Sequence, residues 1–282
     1  MDTAHKTLTA THLFSVFGRA AAPLIIDVRA AEAFHSDATM IAGATWRDPS
    51  AVMTWRKYIP LHRSVVVYCV HGLEISKNAC AALREIGINA VTLEGGIHGW
   101  QEAKYPTIKK SSDLSIPSAI NSPSRWVTRE RPKVDRIACP WLIRRFIDPM
   151  AEFIFVATEQ VSSHANQTGA IAYDVPGVRF THRGDECSFD AFIHDFGLSD
   201  PILQALALIV RGADTDQLGL SSQSAGLLAI SLGLSHLYTD DHQMLAHGML
   251  VYDALYAWLK NNFERISQQK HAETHYADLF KS

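Results

Sequence analysis

A short apolar strand that ends directly at a cysteine constrains this chain more than any other feature. Residues 65–68 read Val-Val-Val-Tyr, and Cys69 opens the six-residue loop that follows. Nearly continuous β-branched runs of this length are typical of strands buried on both faces. Residues 24–28 and 90–93 have the same character, and residues 76–86 place apolar side chains at helical spacing. The alternation predicts a parallel α/β sheet with flanking helices.

The predicted surroundings of Cys69 favour a reactive thiolate. Where a strand passes through a short loop into a helix, backbone N–H groups and the positive end of the helix dipole face the loop. Such a field lowers the pKa of a thiol from its ordinary value of about 8.5. Gly72 lets the loop turn without a Cβ clash. On position alone, an inert buried cysteine at a strand end is the alternative.

Several motifs of the first half resemble, in order and spacing, the rhodanese (sulfurtransferase) family over most of residues 8–107. They are Asp27-Val28-Arg29, Ile41-Ala42-Gly43-Ala44, Tyr68-Cys69, Leu93-Glu94-Gly95-Gly96 and Trp100. The resemblance implies a rhodanese-like fold for residues 1–110, with Cys69 as the nucleophile that becomes a persulfide. It also implies that sulfur transfer requires no cofactor. The implied active-site loop continues through Val70, His71, Gly72, Leu73 and Glu74.

Two positions depart from the pattern of that family. Glu74 stands where the rhodanese loop usually has an arginine, and Met40 stands where a histidine is frequent. We expect Glu74 to repel anionic donors and to raise the pKa of Cys69, while His71 could supply a compensating charge or carry a proton. The donor therefore stays open between thiosulfate and a thiol persulfide. A phosphatase is excluded, because its loop needs an arginine where this chain has Ile75.

The second half has a different pattern. A Ser- and Pro-rich stretch, residues 111–124, predicts a linker. Strands and then helices follow, which indicates a helix-rich α+β domain over residues 125–265. The last strong helix is expected to begin at Asp240, with Gln243 completing a capping box, and residues 266–282 to form a polar tail. The predicted strands are residues 125–128, 153–156, 170–173 and 178–181.

Residues 125–149 are basic, with seven Lys and Arg against three acids. Pro140 suits the first turn of a helix, which would make Cys139 the N-cap and aim its thiol at the positive helix end. The alternative is a solvated basic edge in which acids pair with neighbouring arginines. The planar guanidinium group of arginine suits oxyanions, and the candidates for binding one here are Arg136, Arg144 and Arg145.

A second polar segment, residues 182–189, lies where a predicted strand ends and a helix begins, a common location for functional side chains. His182, Glu186 and Cys187 could together ligate a borderline or soft metal ion. Their spacing fits no standard site, so a capping turn of hydrogen-bonded polar groups is the stronger interpretation. Asp214 is interpreted as a helix cap, which contributes only if folding brings it to the same pocket.

Four segments of the second half resemble the chromate-resistance (ChrB-type) domain family over about residues 125–262. They are residues 135–149, 182–189, 211–214 and 252–256. The resemblance implies involvement in chromate tolerance. Some members are regulators with another N-terminal region, and the rhodanese-like half stands in its place here. The ligand candidates of this domain are Asp135, Arg136, Cys139, Arg144, Arg145, His182, Asp185 and Cys187.

Together, the two halves predict a sulfurtransferase-type protein linked to chromate or oxyanion resistance, with Cys69 as persulfide or thiolate. The alternatives are a chromate- or redox-responsive sensor without turnover and a degenerate scaffold. The expected partners are a small-molecule sulfur donor or thiol, and chromate or a reduced chromium–thiol adduct. The net charge of −3, the lack of a long apolar run and the four scattered cysteines predict a cytoplasmic protein with reduced thiols and no nucleic-acid or membrane partner. The metal content of the second domain and the oligomeric state stay open.

Overall fold

The computed structural model describes residues 6–110 and 123–279. Its first half alternates strands and helices, as the apolar runs predict. The elements are β1 (Thr7–Leu8), α1 (Ala10–Val16), β2 (Leu24–Asp27), α2 (Ala31–Ser36), β3 (Thr39–Ile41), β4 (Ala44–Trp46), α3 (Val52–Trp55), β5 (Val65–Tyr68), α4 (Glu74–Arg84), β6 (Ala90–Leu93), α5 (Gly96–Glu102) and β7 (Thr107–Lys109).

Five parallel strands form the main sheet, in the order β1-β6-β5-β2-β4. Val66 of β5 pairs with Ile25 of β2 and with Val91 of β6, so the strand that ends before Cys69 lies at the centre of the sheet. All residues of β2 and β5 are buried, which explains why neither sequence alternates with polar residues. Helix α4 packs its apolar face onto this sheet. The predicted parallel α/β fold is confirmed.

The second half combines a small parallel sheet, in the order β10-β8-β9, with six helices of eight or more residues among those described. This is the helix-rich α+β organisation that the sequence predicts. The elements are β8 (Arg125–Arg129), α6 (Asp135–Phe146), β9 (Glu152–Val156), α7 (Val161–Thr168), β10 (Ile171–Ala172), α8 (Ser188–Phe196), α9 (Pro201–Asp214), α10 (Ser224–Leu237) and α11 (Asp241–Leu279).

The strand predicted at residues 178–181 is wrong. The segment contributes a single β-bridge, between Tyr173 and Phe180, and Gly177 turns the chain ahead of it with φ +82°. The ring of Phe180 stacks on that of Phe192 in α8, with centroids 4.3 Å apart. Packing onto the helix therefore buries this apolar side chain without an extended strand.

The predicted start of α6 is also wrong. The helix begins at Asp135, and Pro140 lies inside it. A proline here removes the amide that would donate to the carbonyl of Arg136, and the Tyr173 hydroxyl donates to that carbonyl instead, at 3.4 Å. Cys139 is therefore not an N-cap. It is fully buried within the helix, and this burial raises the pKa of its thiol well above the ordinary value.

Three predictions concern the boundaries of the second half: the start of α11, the polar tail and the linker. Helix α11 begins at Asp241, one residue after the predicted start. The Gln243 amide donates to Asp240 Oδ1 at 2.8 Å, which is the Asp240 half of the predicted capping box. The helix continues to Leu279, so most of the predicted polar tail, residues 266–282, is helical. Of the predicted linker, residues 111–122 lie outside the described residues.

Both halves contribute to one hydrophobic core. The rings of Phe17 and Phe146 lie 5.4 Å apart, and the Gly43 amide donates to the Phe146 carbonyl at 2.6 Å. Gly18 has φ +78°, and a Cβ there would lie 2.6 Å from the Tyr256 ring, so α11 approaches the first half where only glycine fits. Among the described residues, no helix has both the length and the apolar content that crossing a bilayer requires.

Candidate functional sites

A buried polar network fixes the end of the strand that leads to Cys69. Arg29 donates to Asp27 Oδ2 from Nη2 at 2.6 Å and from Nε at 2.9 Å. The Tyr68 hydroxyl donates to the same oxygen at 2.8 Å, and all three side chains are buried. Burial raises the pKa of Tyr68 well above its ordinary value, which keeps its hydroxyl a donor. The Asp-x-Arg motif therefore anchors the residue immediately before Cys69.

Two glycines allow the cysteine loop to close against the start of α5. Gly72 and Gly96 have φ +72° and +57°. A Cβ on Gly96 would lie 2.3 Å from the Cys69 carbonyl oxygen and 2.5 Å from that of Val70. Those carbonyls accept hydrogen bonds from the amides of Ile97, at 3.0 Å, and His98, at 3.3 Å. The Gly-Gly motif thus leaves room for the backbone that carries the thiol.

The Cys69 thiol lies in a field of hydrogen-bond donors. Burial by itself raises the pKa of Cys69, but the Ser76 hydroxyl and the amides of Ser76, Leu73 and His71 outweigh this effect, and the pKa is below its ordinary value. The Cys69 Sγ and Ser76 Oγ atoms lie 3.3 Å apart. The expectation that Glu74 raises this pKa is wrong, because its side chain is exposed at the start of α4 and the donors decide the direction. Sequence reasoning missed Ser76.

The outer surface of this loop is open to solvent. Leu73 and Ile75 are 56% and 41% exposed, and Glu74 is exposed between them. The exposed His71 ring contacts the His98 ring edge-on, with centroids 4.5 Å apart. Residues 69–74 contain no Lys or Arg, so the loop presents apolar side chains, an imidazole and the Glu74 carboxylate to a donor molecule. It offers no arginine to hold an anion.

A second site joins three carboxylates and one imidazole, here called the acidic cluster: Asp135, Asp174, His182 and Asp214. Asp135 opens α6, and Asp214 ends α9. His182 Nε2 lies 3.1 Å from Asp214 and 3.3 Å from Asp135. It lies 3.5 Å from Asp174. Folding thus brings Asp214 into the pocket of two residues that the sequence predicts as ligands.

Arginines and a hydroxyl surround one member of this cluster. Arg129 Nη2 donates to Asp174 Oδ2 at 2.6 Å, and Arg136 Nε lies 3.2 Å from the same oxygen. The Ser188 hydroxyl donates to Asp174 Oδ1 at 2.8 Å. Arg136 is therefore held in an internal ion pair, and its guanidinium is not free to meet an oxyanion in this arrangement.

Crowded charge makes the acidic cluster retain protons. A hydrogen bond to Asp135 raises the pKa of His182 to about 9, although partial burial opposes it. Burial raises the pKa of Asp214 to about 8, and the charges of Asp135 and Asp174 add to this effect. At neutral pH, the cluster therefore holds protons that isolated side chains would have released.

Three members of the cluster could hold a metal ion. Asp135, His182 and Asp214 each offer one ligand atom, and these atoms lie within 4.8 Å of one another. Two carboxylate oxygens and one imidazole nitrogen suit a borderline divalent ion such as Zn²⁺ or Mn²⁺. A bound ion would replace the proton on His182.

The structure places the other predicted metal ligands differently. Glu186 is half exposed, and its carboxylate lies 3.9 Å from Arg211. Cys187 is buried, its amide donates to Asp190 at 3.1 Å, and burial together with the charges of Asp135 and Asp190 raises its thiol pKa far above the ordinary value. Asp185 is exposed. The turn therefore acts as the cap of α8, and only His182 of the predicted trio is in the set of ligand atoms.

Arg144 and Arg145 lie at the other end of α6. Arg145 forms a two-pronged pair with Asp253 at 2.9 and 3.0 Å, and Arg144 donates to the Ala151 carbonyl at 3.1 Å. At 1.5 Å per helical residue, Arg145 is roughly 15 Å along the axis from Asp135. The predicted ligand set of the second domain is therefore divided between two places.

Comparison with known proteins finds one matching family model in each half of the chain. Residues 17–103 match the rhodanese-like domain model, which agrees with the sheet, the Cys69 loop and its glycines. Residues 126–259 match the model of the ChrB C-terminal domain. The first half is thus similar to rhodanese-like domains over residues 17–103, and the second half is similar to the ChrB C-terminal domain over residues 126–259.

One curated relative and several solved structures are similar to parts of the chain. Protein ChrB of Cupriavidus metallidurans is 35% identical over 133 residues, which are 47% of this chain and 40% of that protein. The chain therefore spans less than half of this relative's length. A rhodanese-related protein from Thermoplasma volcanium is 28% identical, with a TM-score of 0.33, over 37% of this chain and 99% of that one. A rhodanese-like domain protein from Staphylococcus aureus is 24% identical, with a TM-score of 0.31, over 34% and 90%.

Proposed function

We propose that this chain is a sulfurtransferase-type protein of chromate or oxyanion tolerance, in which Cys69 carries the transferred sulfur. The observation that supports the proposal most directly is the group of donors around Cys69 Sγ. These donors lower the thiol pKa despite burial, so a larger fraction of Cys69 is thiolate at neutral pH. The thiolate is the form that attacks sulfur.

The proposed reaction has two exchange steps and needs no external oxidant. The Cys69 thiolate attacks the outer sulfur of the donor, forms an S–S bond, and releases the donor's thiolate or sulfite. An acceptor thiolate then attacks the outer sulfur of the Cys69 persulfide. The S–S bond to Cys69 breaks, the acceptor leaves as a persulfide, and the Cys69 thiolate is restored.

The surface of the loop favours a thiol persulfide over thiosulfate as donor. Thiosulfate is a dianion, and the exposed Glu74 carboxylate would repel it where the family's arginine would attract it. The exposed Leu73 and Ile75 side chains offer apolar contact to the organic part of a persulfide. The similarity to Protein ChrB supports the link to chromate tolerance.

The test is sulfane-sulfur transfer by the full chain from thiosulfate, glutathione persulfide and 3-mercaptopyruvate. We expect turnover that falls at least a thousandfold in Cys69→Ser, with glutathione persulfide the best donor. Cys80→Ser is the matched control, since Cys80 is a buried thiol on α4 outside the loop. Turnover that survives in Cys69→Ser, or no turnover with any donor, would overturn the proposal and favour a sensor that binds without reacting.

A further inference from the structure

A cleft between the two halves collects arginines from both of them. Arg19 and Arg63 come from the first half, and Arg144 and Arg145 come from the second. Apolar residues such as Leu13 and Ile25 also line it. Among the described residues, the lining contains no Asp or Glu. The cleft is therefore a cationic pocket with low-dielectric walls, which strengthens the field of each charge.

Besides burial, repulsion between the positive charges of these guanidinium groups lowers the pKa of Arg63 and Arg144. Burial lowers the pKa of Arg63, and the charge of Arg145 lowers it further. Burial also lowers the pKa of Arg144, with Arg145 the next cause, against weaker opposite effects of Asp148 and Glu152. Repulsion of this kind is relieved when an anion binds between the cations.

The hydrogen bonds of these arginines leave donors available for a ligand. Arg63 gives one Nη2 bond to the Ala22 carbonyl at 3.0 Å. Arg145 uses Nε and Nη2 on Asp253, and Arg144 uses Nε on Ala151 and Nη1 on the Met249 sulfur. Each guanidinium has five N–H donors, so the groups can bond the oxygens of an anion and keep their present partners.

The cleft lies away from the Cys69 loop. Arg63 precedes β5, whereas Cys69 follows it. The four residues of that strand span about 13 Å at ~3.3 Å each, so the two sites lie at opposite edges of the sheet. A ligand in the cleft would not meet the thiol, but it would touch both halves of the protein at once.

We propose that this cleft is a binding site for a small tetrahedral dianion of the sulfate class, held by Arg63 and Arg144 from opposite halves. The planar fork of arginine pairs with two oxygens of such an anion. The cavity volume is about 40 Å³, where one water needs about 10–15 Å³ on the same scale, so the space fits a single tetrahedral group and excludes a nucleotide. Sulfate, phosphate and chromate share this chemistry.

Titration calorimetry on the full chain, with sodium sulfate, phosphate and chromate in turn at constant ionic strength, tests the proposal. We expect saturable binding of at least one dianion with one site per chain. Arg63→Gln and Arg144→Gln should each weaken it tenfold or more, because each removes a charged fork. Arg125→Gln, which removes an exposed arginine of β8, should change the affinity less than twofold. Competition between the three anions distinguishes the natural ligand among them.

Thermal unfolding without added dianion separates binding from a structural role. Each variant loses a hydrogen bond, from Arg63 to the Ala22 carbonyl or from Arg144 to the Ala151 carbonyl, while the repulsion between the guanidinium groups is relieved, so its unfolding temperature should stay close to that of the wild type. Unchanged affinity in both folded variants would overturn the proposal, as would the absence of saturable binding of all three anions. Cys69→Ser should bind the dianion like the wild type, so failure of sulfur transfer and failure of this site are distinguishable.

Discussion

Cys69 and Cys187 both stand just ahead of a helix and both are buried, yet their thiol pKa values move in opposite directions. The Cys69 loop surrounds its sulfur with neutral donors. Burial is the largest cause of the raised pKa of Cys187, and the charges of Asp135 and Asp190 add to it. The comparison shows that a position before a helix does not make a thiol reactive. The balance between burial, neighbouring charges and hydrogen-bond donors decides it.

The same contrast separates the two sites as a whole. Around Cys69, uncharged N–H and O–H groups stabilise one negative charge. In the acidic cluster, carboxylates crowd around His182, and the cluster retains protons instead of releasing them. The first arrangement suits a nucleophile and the second suits a proton or a metal ion.

The largest expected effect comes from breaking the Cys69 loop with Gly96→Ala. The new Cβ would meet the Cys69 and Val70 carbonyls at a left-handed φ, which should cost about 2–4 kcal/mol in the free energy of unfolding. We expect sulfur transfer to fall at least a hundredfold. Gly177→Ala is the matched control, because Gly177 is also left-handed but has nothing within 4 Å of its Cβ position. Equal losses of transfer in both variants would contradict the loop geometry.

The Cys69 loop was readable from sequence because its parts are local. The strand, the cysteine and the glycine turn are contiguous, and the Gly95-Gly96 motif completes them. The loop's effect on the thiol was not readable, since the direction of a side chain decides it. Ser76 points back at the sulfur, whereas Glu74, two residues earlier, points into solvent.

The acidic cluster shows the limit of sequence reasoning. Asp135, His182 and Asp214 lie far apart along the chain, and only the packing of α6 against α9 and the turn before α8 brings them together. No spacing rule connects them, so the sequence by itself indicates only a helix cap at Asp214. The misplaced start of α6 has a similar cause, because the Tyr173 hydroxyl that compensates for Pro140 comes from a distant segment.

The second-largest expected effect is on the pH dependence of the free energy of unfolding, which the acidic cluster influences and which His182→Gln tests. The folded pKa of His182 is about 9, above the ~6.5 of an unfolded histidine. This contribution to stability is therefore complete below about pH 6.5 and is lost as the pH rises through 9. Because the side chain is 41% exposed, solvent screening reduces its size to about 1–2 kcal/mol.

Chemical denaturation of wild type and His182→Gln between pH 6 and 9.5 measures this contribution. We expect the variant to be less stable at pH 6 and to lose less stability as the pH rises. His194→Gln is the control, since His194 is 80% exposed and contacts only Asp195 among the described ion pairs. A wild-type stability that is flat between pH 6.5 and 9 would show that the cluster does not hold its proton.

The smallest expected effect comes from Ser76→Ala, which measures how much one hydroxyl contributes to the low pKa of the Cys69 thiol. Ser76→Ala removes one donor to the Cys69 thiolate and leaves the loop amides in place, so the pKa of Cys69 should rise toward that of an ordinary buried thiol. Sulfur transfer should fall threefold to tenfold near pH 6.5 and recover at pH 9, where the thiol ionises in both proteins. A purely structural loss would lower the rate equally at every pH.

The thiolate absorbance near 240 nm, followed across the same pH range in Cys80→Ser and Cys80→Ser/Ser76→Ala, reports the pKa directly. Coincident titration curves would mean that the backbone amides alone set the reactivity of Cys69.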